Sequence, residues 1–181
     1  MELKMVEQAW GDEPGAALVA AYMAELDERY DPWERDDDPP PEAMHVPGAR
    51  PAPAAAPSTD PVWEIDPDDL LRPRGAFVVA HLDGIAVACG ALRPLPGGDP
   101  SIAEVKRMYT APAARGRGVA RALLRRLVAI AGELGYAQVV LETGTRQPEA
   151  MALYGAEGWA PLAPYGQYCG AHLSRCFVLD L

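Results

Sequence analysis

The chain has 181 residues, enough for one hydrophobic core and too few for two full enzyme domains. Hydrophobic residues make up 49% and charged residues 23%, ordinary globular usage that sets aside wholesale disorder. Its 16 Lys and Arg stand against 26 Asp and Glu, a formal net charge of −10, which excludes nucleic acid or an anionic membrane as a partner held by long-range attraction.

Leu3 to Ala9 alternates loosely as a first strand. Leu18, Tyr22, Leu26 and Tyr30 then recur at four-residue steps, predicting an amphipathic helix over Gly15 to Tyr30. From Asp31 to Pro61 the chain turns to Asp36-Asp37-Asp38-Pro39-Pro40-Pro41 and Ala/Pro repeats, which bury too little apolar surface to offset ordering entropy. This stretch reads as an extended loop, ordered only by a partner or substrate. Ala76 to Leu82 and Gly84 to Leu92 are β-rich runs joined at Asp83-Gly84, the pair favoured in a type I′ hairpin turn.

Ile102 to Thr110 is the next strand, followed by Ala111-Pro112-Ala113-Ala114 and Arg115-Gly116-Arg117-Gly118. A helix is predicted from Val119, with Leu123, Leu127, Ile130 and Leu134 continuing its apolar stripe and Gly135 as its C-cap. Gln138 to Leu141 is a short β run ending at Glu142-Thr143-Gly144, so strand, helix and strand form a parallel crossover. Pro148 suits the first turn of another helix that reaches Tyr154 and stops near Gly158. Trp159 opens the last β region, and Ser174 to Leu181 closes it.

The three cysteines, Cys89, Cys169 and Cys176, show no metal-ligand spacing with each other or with His45, His81 and His172, so a reducing compartment and no metal are expected. Met1 to Trp10 lacks the basic start and apolar run of a signal peptide, and no stretch approaches the ~20 apolar residues of a membrane span. A cytoplasmic location is expected.

The strand-to-helix junction carries the chemistry. Backbone N–H groups and the helix dipole around Arg115, Gly116, Arg117, Gly118, Val119 and Ala120 would point at an anion in the turn. Glycines there let the backbone curl around phosphate oxygens, and two arginines stand out in an acidic chain. Neither Lys nor Ser/Thr follows Gly118, which disfavours a P-loop. Arg121 occupies the third glycine position of a dinucleotide fingerprint, and too little chain follows Glu142 for a complete dinucleotide domain.

Arg115-x-x-Gly118-x-Ala120 resembles the Q/R-x-x-G-x-G/A signature of the GCN5-related N-acetyltransferase (GNAT) superfamily, which holds the pyrophosphate of coenzyme A. Ala103 to Tyr109 before the loop and Gln147-x-x-Ala150-x-x-Leu153-Tyr154 after it, then Gly158-Trp159, are similar in order and distance. The resemblance covers roughly residues 76 to 181 and, more loosely, residues 1 to 30. It implies an α/β fold, a single GNAT-like domain over the whole chain, with a mixed central β-sheet whose central strands splay apart and are flanked by helices. It also implies that backbone groups near Met108, Tyr109 and Thr110 pair with the pantetheine arm, as in β-augmentation. Gln147, where many members have Asn, is a pantetheine contact or a helix cap.

An amine with a pKa near ~10.4 is largely protonated at neutral pH, so acyl transfer wants a proton acceptor. Strict alternation puts Glu104, Lys106, Met108 and Thr110 on one strand face, aiming Glu104 at the thioester. The resemblance puts a catalytic Glu there in some members; pairing with Lys106 or Arg107 is the competing use, and Glu142 is the second candidate base. Tyr154 is placed to protonate the leaving thiolate, the role its family counterpart commonly has, although the same spacing suits a core tyrosine. Cys169 has no neighbour in sequence that would lower its pKa.

The resulting expectation is an acetyl-CoA-dependent N-acetyltransferase acting on a primary amine of a small molecule by direct attack in a ternary complex. Tyr165 and Tyr168 lie in the connection that helps shape the acceptor pocket in similar proteins, and suit a small polar acceptor with an apolar side. The acidic run Asp31, Asp36, Asp37, Asp38 and Glu42 either concentrates a cationic amine or is simply solvated. A silent acyl-CoA-binding or partner-binding module and a protein N-terminal or lysine acetyltransferase are the alternatives, and a homodimer is left open.

Overall fold

The computed structural model describes residues 2–31, 38–39, 46–53 and 65–181. Seven strands form one sheet in the order β1-β2-β3-β4-β5-β7-β6. In chain order these are β1 (Leu3–Gln8), α1 (Gly15–Tyr30), β2 (Ala76–Leu82), β3 (Ile85–Pro94), β4 (Ile102–Thr110), α2 (Val119–Glu133), β5 (Gln138–Gly144), α3 (Pro148–Ala156), β6 (Ala160–Leu162) and β7 (Ser174–Asp180). Every pairing is antiparallel except β4 with β5, the pair joined through α2. The β2–β3 hairpin turns at Asp83 and Gly84, both with positive φ as a type I′ turn requires.

The two faces of the sheet are buried differently. The predicted stripe of α2 lies inside: Val119, Leu123, Leu127 and Ile130 pack on Val78, Leu92, Val105 and Leu141 from four strands. Full burial of each such Leu or Ile is worth about 1.5–3 kcal/mol, which anchors the helix whose first turn forms the anion loop. On the other face α1 buries Leu18 against Phe77, Val79, Cys89 and Tyr109. Past Leu18, the stripe residues Tyr22, Leu26 and Tyr30 line a cavity, with Tyr22 also packing against the core beside Tyr109.

Two irregularities in β4 shape that cavity. First, β4 and β5 pair only from Ile102↔Gln138 to Val105↔Leu141. Beyond that rung β4 follows β3, whereas Glu142 to Gly144 of β5 follow β7, so the sheet forks at its centre. Second, Ala91 opposes Lys106 and Cys89 opposes Tyr109, so one β3 residue faces both Arg107 and Met108. This is a β-bulge, and Arg107 sits at its corner with φ +55°.

The bulge overturns the expected alternation. Ala103, Val105 and Met108 all turn toward the α2 core, and Tyr109 joins the α1 side. Lys106 is therefore the last residue before the register of faces changes, and Met108 no longer shares a face with Glu104.

Of the predicted loop over residues 31–61, the segments 32–37, 40–45 and 54–61 lie outside the described residues. Residues 46–53 run beside β6: Arg50 donates its N–H to the Pro161 carbonyl at 2.9 Å, and its carbonyl accepts from Ala163 at 2.9 Å.

Candidate active site

A cavity of about 800 Å³ opens where β4 and β5 part. Its walls come from α1, from Val105 to Met108, from Glu142 to Gly144, from α3, and from the β6–β7 connection with Tyr168, Leu173 and Ser174. A volume of this size suits a small-molecule substrate site.

Helix α1 bridges the two lips of the fork. Glu25 pairs with Arg115 of the β4–α2 loop. Arg29 pairs with Glu149 and donates to the Arg146 carbonyl at 2.8 Å on the β5–α3 side. Arg146 stacks 5.1 Å from the Tyr30 ring centroid and pairs with Asp38. The Tyr30 hydroxyl presses so closely on Gly144 that a Cβ there would lie 1.6 Å from it, so any side chain at this position would have to displace the Tyr30 ring.

The glycine-rich turn before α2 has an open, glycine-dependent backbone. Gly116 and Gly118 adopt φ +71° and +79°, and a Cβ built on either meets nothing within 4 Å, so the loop presents backbone to open space. Ala122 is the first α2 residue whose N–H reaches back into the turn, to the Gly118 carbonyl at 3.1 Å. The N–H groups of Val119, Ala120 and Arg121 therefore have no helical acceptor and face the loop with the positive end of the helix dipole. Such a turn fits a pyrophosphate. Arg115 is committed within the protein: beside its Glu25 pair, its Nε donates to the Thr110 carbonyl at 2.9 Å. Arg117 is exposed.

Met108 and Gln147 line the cavity, whereas Tyr109, Thr110 and the 115–120 loop lie outside its lining, toward the end of β4. Gln147 precedes α3 without a side-chain cap bond. Tyr154 is buried yet lines the cavity, its ring 6.0 Å from Trp159 and 5.6 Å from Phe177. Burial, reinforced by Tyr22 and Glu142, pushes its phenol well above the ordinary value.

Glu104 does not reach the cavity. It is 1% exposed, and its Oε2 accepts from Arg93 Nε at 2.9 Å and Nη2 at 2.7 Å. Its Oε1 accepts from Tyr165 at 3.0 Å and Tyr168 at 3.3 Å, and Lys106 Nζ stands 3.9 Å away. Burial alone would raise this carboxyl; the Lys106 and Arg93 charges and the Arg93 and Tyr165 hydrogen bonds prevail and hold it below its usual range. Glu104 sits at a paired rung of the sheet, opposite Val140 and before the fork, and is not among the residues that line the cavity.

Glu142 stands one residue past the last paired rung and lines the cavity. Ser174 Oγ donates to its Oε1 at 2.6 Å. Burial pushes its carboxyl above the ordinary range, prevailing over the Lys106 charge and the Ser174 hydrogen bond. It is therefore a stronger proton acceptor than a solvated glutamate, and it influences Tyr22, Tyr30, Tyr154 and Tyr168 around the cavity. Cys169 is exposed and outside the lining, and burial raises Cys89 to about 12. Among the described residues no group of three or more His, Cys, Asp or Glu is placed to hold a metal, and no helix is long and apolar enough to cross a membrane.

The family model for the Acetyltransferase (GNAT) family matches residues 18–159. The chain belongs to the GNAT family. An IAA acetyltransferase from Azospirillum brasilense is 39% identical over 105 residues, covering 58% of this chain and 67% of that one. Among solved structures, a GNAT family acetyltransferase from Staphylococcus aureus superposes with TM-score 0.65 at 15% identity, over 99% of both chains. A GNAT family acetyltransferase from Elizabethkingia anophelis, solved with acetyl-CoA bound, gives TM-score 0.61 at 13% identity, over 99% of this chain and 98% of that one. The matched residues include the fork, the bulge and the loop, and among the described residues three α-helices flank one mixed sheet.

Proposed function

We propose that this GNAT protein moves an acetyl group from acetyl-CoA to a primary amine of a small molecule, by direct attack within a ternary complex. The observation that carries this reading is the position of Glu142, a carboxylate with raised proton affinity standing at the fork between β4 and β5. Pyrophosphate binds the backbone of residues 115–120, and the pantetheine amides pair with β4 backbone that β5 has released, near Met108, Tyr109 and Thr110. Gln147 adds a side-chain contact. The strained backbone at Arg107, φ +55°, is the kind of outlier that clusters at functional sites. Backbone near Met108, on the edge of β4 that β5 has left, polarises the thioester carbonyl.

Only about one in 10³ molecules of a lysine-like amine is neutral at pH 7, so Glu142 takes the proton as nitrogen attacks. The C–S bond breaks, and Tyr154 donates its hydroxyl proton to the departing thiolate. A phenol with raised pKa remains protonated until that moment. This assignment replaces Glu104, which the Arg93, Tyr165 and Tyr168 contacts occupy.

Free-thiol release from acetyl-CoA across an amine library tests the reaction directly; tight coenzyme A binding with no turnover of any amine would favour a silent binding module. Gly118→Asp aims a carboxylate into the anion loop and should abolish measurable coenzyme A binding by calorimetry with the circular-dichroism spectrum unchanged. Tyr154→Phe should lower kcat by about 10²-fold or more, and full retention of rate across the pH range would sink the acid assignment.

A further inference from the structure

The cavity holds a second charged group that proton transfer does not use. Lys106 is 8% exposed and lines the cavity, at the β4 position level with Glu142 on β5. Both strands alternate regularly up to that point: Glu104 contacts Tyr165 and Tyr168, and Val140 packs in the same cluster as those tyrosines. Lys106 and Glu142, two residues further on, therefore share that sheet face on opposite sides of the fork. Neighbouring strands lie about 4.8 Å apart, and here they are beginning to separate.

An ammonium has three N–H donors. One goes to the Tyr168 hydroxyl, and the nearest carboxylate oxygen, Glu104 Oε1, is 3.9 Å away, beyond hydrogen-bond reach. That oxygen already accepts from two tyrosines. No salt bridge joins Lys106 to Glu142; burial lowers the Lys106 pKa, and the Glu104 and Glu142 charges oppose that shift and favour the ammonium. Among the described residues Lys106 thus hydrogen-bonds only to Tyr168 and stands at ion-pair distance from Glu104, which leaves two of its donors for a substrate group beside Glu142. An anionic substrate group there gains a charge-assisted hydrogen bond from those donors.

Resting on the acetyl-transfer reading above, we propose that the acceptor is an amino-carboxylate: its amine faces Glu142, its carboxylate binds Lys106, and its apolar side chain lies against Tyr22, Leu26 and Leu173.

Thiol release from acetyl-CoA should be compared for phenylalanine and phenethylamine, leucine and isoamylamine, and methionine and 3-methylthiopropylamine. In at least one pair the amino acid should have the higher kcat/KM by about 10- to 100-fold, the worth of a hydrogen bond to a charged group. Lys106→Met should erase that preference through acceptor KM while coenzyme A affinity stays unchanged, and Lys106→Arg should retain most of it. The comparison within pairs on the wild-type protein needs no variant to fold. Equal or better use of the decarboxylated partner in all three pairs overturns the proposal, as does acetylation of other amines with none of these amino acids used. Failure of every amine, with coenzyme A still bound, removes the acetyl-transfer reading itself and this proposal with it.

Discussion

Glu142→Gln should lower kcat by about 10²- to 10⁴-fold, the usual contribution of a positioned general base. The amide keeps the shape and can still accept from Ser174, whose hydroxyl lies 2.6 Å from the carboxylate, so coenzyme A affinity should not change. The pH profile separates this loss from a structural one. Because burial raises the Glu142 carboxyl, wild-type kcat/KM should climb with pH through a limb displaced above the ordinary carboxylate value of about 4.3 as the base loses its proton. In the Gln variant that limb should vanish. A variant that keeps both the limb and most of the rate would move the base elsewhere.

Glu104→Ala should produce the largest stability loss. It leaves Arg93, 6% exposed, and Lys106, 8% exposed, without the carboxylate they share, and it strips Tyr165 and Tyr168 of their acceptor. Removing one member of a buried ion cluster costs about 3–5 kcal/mol. For a domain of this size each kcal/mol shifts Tm by about 2–4 °C, so thermal melts should fall by roughly 6–20 °C. Glu104→Gln should cost less and should retain the acidic limb of the rate profile, whereas loss of that limb would return Glu104 to the role of base. The sign with pH follows from a folded pKa held below the unfolded one. The stabilisation is complete above the unfolded value of about 4.3 and disappears as pH falls through the folded pKa. A Glu104→Ala protein should therefore differ most from wild type near neutrality and least in strong acid.

Much of the architecture was legible because it depends on local pattern. Four-residue steps of Leu and Tyr marked α1 at Gly15–Tyr30, Asp83-Gly84 placed the hairpin turn, and the apolar stripe from Val119 located α2. The glycine-rich turn was legible for the same reason: positive φ and a bare backbone are requirements of single residues. The short 3₁₀ turn at Gly166–Tyr168, which sets Tyr168 against Glu104 and Lys106, left no such mark.

The choice between carboxylates was not legible. Strict alternation through β4 put Glu104 beside the thioester, but a bulge is an event between strands: Arg107 and Met108 oppose one β3 residue, which no spacing within Ile102–Thr110 records. Nor does β5 announce in its own residues where it leaves β4, since Val105↔Leu141 is the last rung only because Glu142 to Gly144 pair with β7 instead. The sequence by itself determined the order of elements, the glycine-rich turn before α2 and the tyrosine on α3, all set by short-range geometry and composition. Only the tertiary structure decided which glutamate is locked among Arg93 and two tyrosines and which faces the fork, because pairing partners and burial are properties of chain segments brought together from afar.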